Sequence, residues 1–348
     1  MTQQTDNSRL PGIDGLKAVA ALFIMFGHVI QKDFAVWNAG TPRIPFPFEC
    51  VTLFFLISGF LTTASSDRAG SFSPLAFYRK KAARILPTYY LYLILASVAC
   101  IILHKWQYVS SKSVLWYVFA QGEFPFAMGN GLLPFVHLWY IGVLVVFYLV
   151  APLVLRLDRS KQILVFSSAC IGWFIIKLIV FLIMGKCALY RIVATFRVEP
   201  LMLGSLLGIM IKPDKTKCQS IMGSRVVFIL CLCGFLFSGL YALKLPAVVR
   251  PEFFTAQYSF LLFSVVSVKH NLMDNKVMTW LGHISYPLYV CHPLVLIIIS
   301  VFIESTGWIP DTFGSRLLTD LLAVAVSLGM AYIFSKSVKI LTDKYGFY

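Results

Sequence analysis

Ten times along its length this chain turns apolar for close to the thickness of a lipid bilayer. The runs are roughly 14–31, 50–66, 85–104, 135–155, 163–184, 197–211, 225–243, 252–268, 283–303 and 317–337. A helix needs about 20 residues, within a range of about 17–25, to cross the hydrocarbon core. Inside that core each backbone N–H and C=O must be satisfied within the protein, and runs of this length meet that demand as helices. The pattern predicts an all-α, polytopic integral membrane bundle of about ten transmembrane helices. Composition agrees, since 59% of the 348 residues are hydrophobic and only 13% are charged. Mean hydropathy is +0.80. A soluble domain carries about 25% charged residues, and no soluble fold could cover this much apolar surface. The second and sixth runs are short and are expected to tilt or to shelter behind neighbours.

The connections are mostly short and basic, without a linker, repeat or low-complexity tract. Residues 1–348 therefore read as a single transmembrane domain with no separate soluble domain. The first residues, MTQQTDNSRLPGIDG, are polar and lack a signal-peptide cleavage pattern. The first apolar run is expected to remain as a span.

The 30 Lys and Arg outnumber the 15 Asp and Glu, for a net charge of +15. No nucleic-acid recognition motif accompanies the excess, so nucleic acid is excluded as a partner. In a membrane chain such an excess reports cytoplasmic loops and anionic headgroups of the lipid bilayer. With the N-terminus placed inside, 18 Lys and Arg fall on inner segments, 10 on outer segments and two, Lys17 and Lys177, within spans. The bias puts both termini in the cytoplasm, and the basic 65–84 loop weighs most. The outer connection 105–134 is long and half apolar. It reads either as a packed cap or as a segment lying on or re-entering the membrane. The eight cysteines, mostly within apolar runs, read as small apolar residues, with neither a disulfide framework nor zinc spacing.

A charge inside a span costs at least about 2.5–3.5 kcal/mol on insertion scales, and so needs a reason. Lys17 and His28 share the first run, 11 residues apart. At about 100° and 1.5 Å per residue they lie on one helix face, about 16 Å apart along the axis. Two readings fit: a snorkelling lysine plus a histidine satisfied by a neighbour, or a conduit with a basic entrance and a proton acceptor further in. His292 sits in the ninth run between Pro287 and Pro293, whose missing N–H groups can open a polar pocket, although proline is common in membrane helices. Lys177, in the outer half of the fifth run, is expected to pair with Glu199 or with a substrate anion. Arg197 and Glu199 flank the outer end of the sixth run. Asp320 lies near enough to the outer interface to be solvated.

The stretch FYRKKAARILP enters the third run. Lys81 and Arg84 are three apart and share a helix face. They form either a positive-inside anchor or a clamp for phosphate oxygens. No Walker loop, Rossmann fingerprint, H-E-x-x-H or G-x-S-x-G occurs.

Together these pieces resemble the acyltransferase-3 family of bacterial membrane proteins, many of which O-acetylate surface polysaccharides. DGLKAVAALFIMFGH (14–28) is similar to the family's DGLRAxAAxxV…H, and LFFLISGFL (53–61) to its FFxISGFL. KAARILP (81–87) follows the RxxR-I-x-P form, and HLWYIGVLVVFYLVAP (137–152) the H-x-W…FYL-x-x-P segment. RVEPLMLGSLLG (197–208) and LGHISYPLYVCHPLVL (281–296) complete the order along nearly the whole chain. Lys17 and Lys81 stand where the family has Arg, which keeps the charge without the bidentate fork. Leu144-Val145-Val146 replaces the acidic E-E-Q of many members.

The resemblance implies an O-acyltransferase of the bacterial inner membrane, with no metal. Its donor would be acyl-CoA, with acetyl-CoA the default and succinyl transfer occurring among relatives. Its acceptor would be a glycan or lipid-linked sugar. Lys81, Arg84, Arg79 and Lys17 would hold the donor's phosphates. His28, helped by Lys17, would act as general base, a role that suits an imidazole near neutrality. Trp139, Tyr286, Ser58, Arg197, Glu199 and His292 would contact the reacting groups or the acceptor. The alternative is a transporter or flippase of a lipid-linked sugar or small metabolite, since ten spans with polar groups at the midplane suit it too. A non-catalytic sensor is a third reading, and it would tolerate loss of His28.

Overall fold

The computed structural model describes residues 10–32, 35, 46–64, 72–211, 217–242, 244–246 and 248–344. Among these, α-helices and short 3-10 turns are the only regular elements, with no strand. The helices are α1 (Ile13–Val29), α2 (Phe46–Ala64), α3 (Pro74–Ile102), α4 (Val114–Val118), α5 (Glu123–Ala127), α6 (Trp139–Leu155) and α7 (Arg159–Met184). They continue as α8 (Ala188–Thr195), α9 (Val198–Met210), α10 (Lys217–Met222), α11 (Arg225–Ala242), α12 (Arg250–Ser267), α13 (Lys276–Thr306) and α14 (Phe313–Lys344).

Each of the ten apolar runs falls on a helix. Six stretches are long and apolar enough to cross a membrane: Pro74–Ile102, Val136–Leu155, Arg159–Met184, Ala188–Met210, Lys276–Thr306 and Phe313–Asp343. Among the described residues these six meet the length and composition of a span, against the ten expected. Helix α1 has 17 residues and at 1.5 Å per residue reaches about 25 Å, a little less than the roughly 30 Å core. Shorter apolar stretches lie at Glu49–Ala64 of α2 and Arg225–Ser238 of α11. Arg9, Arg43, Arg68, Lys212 and Lys215, counted for topology above, lie outside the described residues.

The bundle has a buried centre and an apolar outside. Helices α2 and α9 make the most extensive contact, and α1 lies against α13. Small residues allow the close approach. A Cβ on Gly59 would strike the Leu201 carbonyl, and one on Gly204 would strike the Leu56 carbonyl. Thr63 Oγ1 donates to Ser205 O at 2.7 Å, so the α2–α9 seam is also hydrogen-bonded. This is the packing expected where lipid removes the hydrophobic drive between helices. Conversely, Ile171, Ile175, Ile179, Leu182 and Ile183 of α7 are exposed, as are Leu318, Leu321, Leu322 and Ile333 of α14. Exposed apolar faces this long mark a lipid-facing surface.

Helix α3 begins earlier than its apolar run. Ser73 accepts from Ala76 N at 3.4 Å, and Pro74 occupies the first turn, where its missing N–H costs nothing. Its basic stretch is therefore helical. At the other end of the bundle, connection 105–134 folds as short helical turns that pack on the bundle while Leu115, Phe119 and Leu133 stay exposed. Tyr92 of α3 donates to Pro134 O at 2.5 Å and Tyr89 to Tyr117 O at 2.6 Å, which ties the cap to the bundle. Buried within that cap, Glu123 fits because Gly142 of α6 has no Cβ to strike its carboxylate.

Candidate functional site

Two unlike cavities among the described residues hold most of the expected site residues. The first, at the basic end, is a neck of about 70 Å³ lined by Lys17, Lys81 and Arg84 together with Ser58, Tyr140, Tyr148, Tyr286 and Tyr289. The second, under the cap, is about 560 Å³ and is lined by His28, His137, Trp139, Arg191, Arg197 and Tyr289, among others. A side cavity of about 200 Å³ is also lined by His28 and His137. Tyr289 is the residue shared by the neck and the larger cavity. Its hydroxyl donates to the His137 carbonyl, and its ring meets Phe54 at 6.0 Å and Tyr140 at 5.3 Å. This aromatic partition separates the two spaces.

The spacing of Lys17 and His28 delivers what a shared helix face implies. One lines the neck and the other the cavity beyond the partition. Lys17 Nζ is 3.0 Å from Asp14 Oδ1, and His283 Nε2 is 3.6 Å from Asp14 Oδ2. Lys81 donates to Thr62 Oγ1 at 3.1 Å and stands 4.3 Å over the Tyr148 ring, a cation–π contact that fixes its ammonium at the wall of the neck. Arg84, one turn on, reaches the same neck, while Arg79 is exposed and lines neither cavity. Ser58 Oγ is 3.2 Å from Tyr140 Oη. Tyr286 donates to Ile85 O at 2.9 Å, joining α13 to α3 at the neck.

Beyond the partition the hydrogen bonds set the histidine tautomers. His292 Nδ1 lies 2.9 Å from Leu288 O. A carbonyl only accepts, so this nitrogen carries the proton. In the neutral ring Nε2 then holds the lone pair, and His28 Nδ1, 2.8 Å away, donates to it. The lone pair of His28 is thereby on Nε2. The two rings stack at 5.0 Å and 24°. His292 is fully buried and backs His28 rather than lining either of the two main cavities. Trp139 lies flat on Phe126 at 4.9 Å and 11°, an aromatic wall of the larger cavity.

Arg197 borders that cavity, with its guanidinium held by Glu49 Oε2 at 3.0 Å and Thr52 Oγ1 at 3.3 Å. Glu199 does not line it. Glu199 is buried and pairs with Lys177, which also pairs with Glu252. Of the two partners expected for Lys177, the structure provides the carboxylate, and it adds Glu252, which the sequence did not single out. Asp320 is half-buried, with Oδ1 covered. The seven described cysteines whose state is defined are free thiols. His137 and Tyr289 were also missed. His137 lies in the H-x-W segment, the one signal that marked its neighbourhood.

Comparison with known proteins gives the same direction as these cavities. The acyltransferase domain family matches residues 10–336. A provisionally named O-acetyltransferase of Staphylococcus aureus strain COL is 24% identical over 330 residues, covering 82% of this chain and 50% of its own. The O-acetyltransferase OatA of Staphylococcus aureus strain NCTC 8325 / PS 47 is 24% identical over 341 residues, covering 86% and 53%. The chain spans about half the length of the curated relatives it matches. No solved structure matches it. With a family match over almost all of its length and helices that cross the membrane several times, the chain belongs to the acyltransferase-3 family of multi-pass membrane proteins.

Proposed function

We propose that this protein is a membrane O-acyltransferase that moves an acyl group, acetyl by default, from cytoplasmic acyl-CoA to a hydroxyl of a cell-surface or lipid-linked glycan. In this reading it sits in the bacterial inner membrane, with both termini and the basic end facing the cytoplasm, as the charge bias favours. One observation carries the proposal: a cation-lined neck and a histidine-lined cavity meet at Tyr289 from opposite sides. A donor with an anionic head and a long neutral arm fits the first, and an uncharged polyol fits the second.

Lys81, Arg84 and Lys17 hold the phosphates, where charge-assisted hydrogen bonds are strongest. The pantetheine arm enters the neck and displaces the Tyr289 partition. An acceptor hydroxyl then gives its proton to His28 Nε2 as its oxygen bonds to the thioester carbonyl carbon. The C–S bond breaks, and the departing thiolate takes the proton back from His28. The hydroxyls of Ser58 and Tyr140 supply hydrogen-bond donors for the developing oxyanion. His292, through His28 Nδ1, keeps the basic nitrogen turned outward. Trp139 and Phe126 form the wall against which a sugar ring rests.

The test is transfer of labelled acetyl from acetyl-CoA by the protein in sealed vesicles. Covalent label on an added glycan supports the proposal. Movement of the glycan across the bilayer without label supports the transporter instead.

A further inference from the structure

A second ring nitrogen beside the acceptor cavity has work left to do. His137 Nε2 lies 2.9 Å from Val290 O. The carbonyl accepts, so Nε2 carries the proton and Nδ1 the lone pair. The ring is 5% exposed, and Nδ1 is buried without a hydrogen-bond partner. Buried polar atoms are nearly always satisfied, so an orphaned acceptor asks for a donor from outside the chain. His137 lines both of the cavities that His28 lines, so that donor arrives by the same route as the acceptor substrate.

The donor count then narrows the substrate. A hydroxyl has one proton to give. It cannot donate to His28 Nε2 and to His137 Nδ1 at once. Both histidines line that cavity, so two hydroxyls of one ligand match the two nitrogens, with His137 Nδ1, covered in the empty site, reached as the ligand displaces the side chains packed over it. We propose that the acceptor is a sugar bearing a pair of neighbouring hydroxyls, one attacking through His28 while the next donates to His137 Nδ1. This rests on the reading of His28 as the base, and it deepens that reading by naming what the cavity selects. His137 is a specificity residue: it holds the ring so that one position of the diol faces the thioester. A site built around such a hydrogen bond rejects the deoxy analogue strongly, because its own buried acceptor is left unpaired.

The experiment uses the full chain in lipid nanodiscs and two readouts. The probes are methyl glucoside, methyl galactoside and methyl mannoside, each with its 2-, 3- and 4-deoxy analogues. Acetyl transfer from acetyl-CoA gives kcat/KM, and saturation-transfer NMR gives binding without turnover. The wild-type protein should lose about tenfold or more in both kcat/KM and binding when the hydroxyl next to the acetylated one is removed. His137→Gln keeps an N–H at the place of Nε2 for Val290 O and lacks the Nδ1 lone pair. It should bind the diol and the deoxy sugar within about twofold of each other. His137→Asn returns an acceptor oxygen near Nδ1 and should restore part of the discrimination. A wild-type protein indifferent to every such deoxygenation overturns the proposal, as does a His137→Gln protein that discriminates as strongly as wild type. Diol-dependent binding without any acetyl transfer would uphold the recognition and count against the transfer chemistry alone.

Discussion

His28 Nδ1 and His292 Nε2 lie 2.8 Å apart, although 264 residues separate them in the chain. The Leu288 carbonyl holds the proton of His292 on Nδ1, so the hydrogen bond between the rings runs one way, from His28 to His292. It turns the lone pair of His28 outward, as the orienting partner of a catalytic histidine does in other acyl-transfer sites.

Replacing His292 should therefore damage turnover more than binding. His292→Ala removes the acceptor for His28 Nδ1 and frees the wrong tautomer. We expect kcat to fall about 100-fold, with little change in the donor KM, by comparison with loss of an orienting residue elsewhere. Steady-state kinetics with acetyl-CoA separates the two terms.

The cations of the neck should act on the donor. Lys81→Ala with Arg84→Ala removes two of its three basic groups. We expect the apparent KM for acyl-CoA to rise about tenfold or more, with a smaller effect on a pantetheine thioester that lacks the nucleotide phosphates. Equal effects on both donors would make the pair a topology anchor only.

Lys177 should prove structural. It is buried and bridges Glu199 and Glu252. Lys177→Ala leaves two carboxylates without their cation and should destabilise the fold by about 3 kcal/mol. Adding Glu199→Gln and Glu252→Gln should recover most of that loss in thermal unfolding, since replacing a whole buried ion cluster costs far less than breaking it.

Glu123 should make the cap sensitive to pH. Burial pushes its carboxyl up from the ordinary 4.5 to about 7, and both oxygens lack hydrogen-bond partners. The folded protein thus holds this proton more tightly than the unfolded chain. Stability is greatest below about pH 4.5 for this group and falls as pH rises toward about 7, where the folded form gives the proton up. Glu123→Gln should match wild type in melting temperature near pH 4.5 and exceed it at pH 8.

Much of the fold was legible in the apolar runs because lipid imposes a length on a helix, and all ten runs lie on helices. Boundaries were less so. Helix α3 starts at Pro74 rather than near residue 85, because Ser73 caps a basic turn that hydropathy alone assigns to a loop. The short sixth run has a local cause: Arg197 takes a left-handed backbone, φ 46°, and breaks α8 from α9. Of the site, Lys17, His28, Lys81 and Arg84 were readable because charge inside an apolar run stands out. His137 and Tyr289 were not. The partition joins positions 152 apart, and the orphaned Nδ1 depends on a carbonyl 153 residues away. No local spacing encodes either. Glu199 shows the converse, an intramembrane charge whose partner is another charge, Lys177.

The central claim is that His28 takes the proton of the acceptor hydroxyl, and His28→Ala tests it most directly. The measurement is acetyl transfer from labelled acetyl-CoA to a glycan, using purified variant that inserts and melts like wild type. We predict loss of at least about 100-fold in kcat, as for removal of a general base, with donor binding retained. Wild-type transfer by His28→Ala would contradict the account.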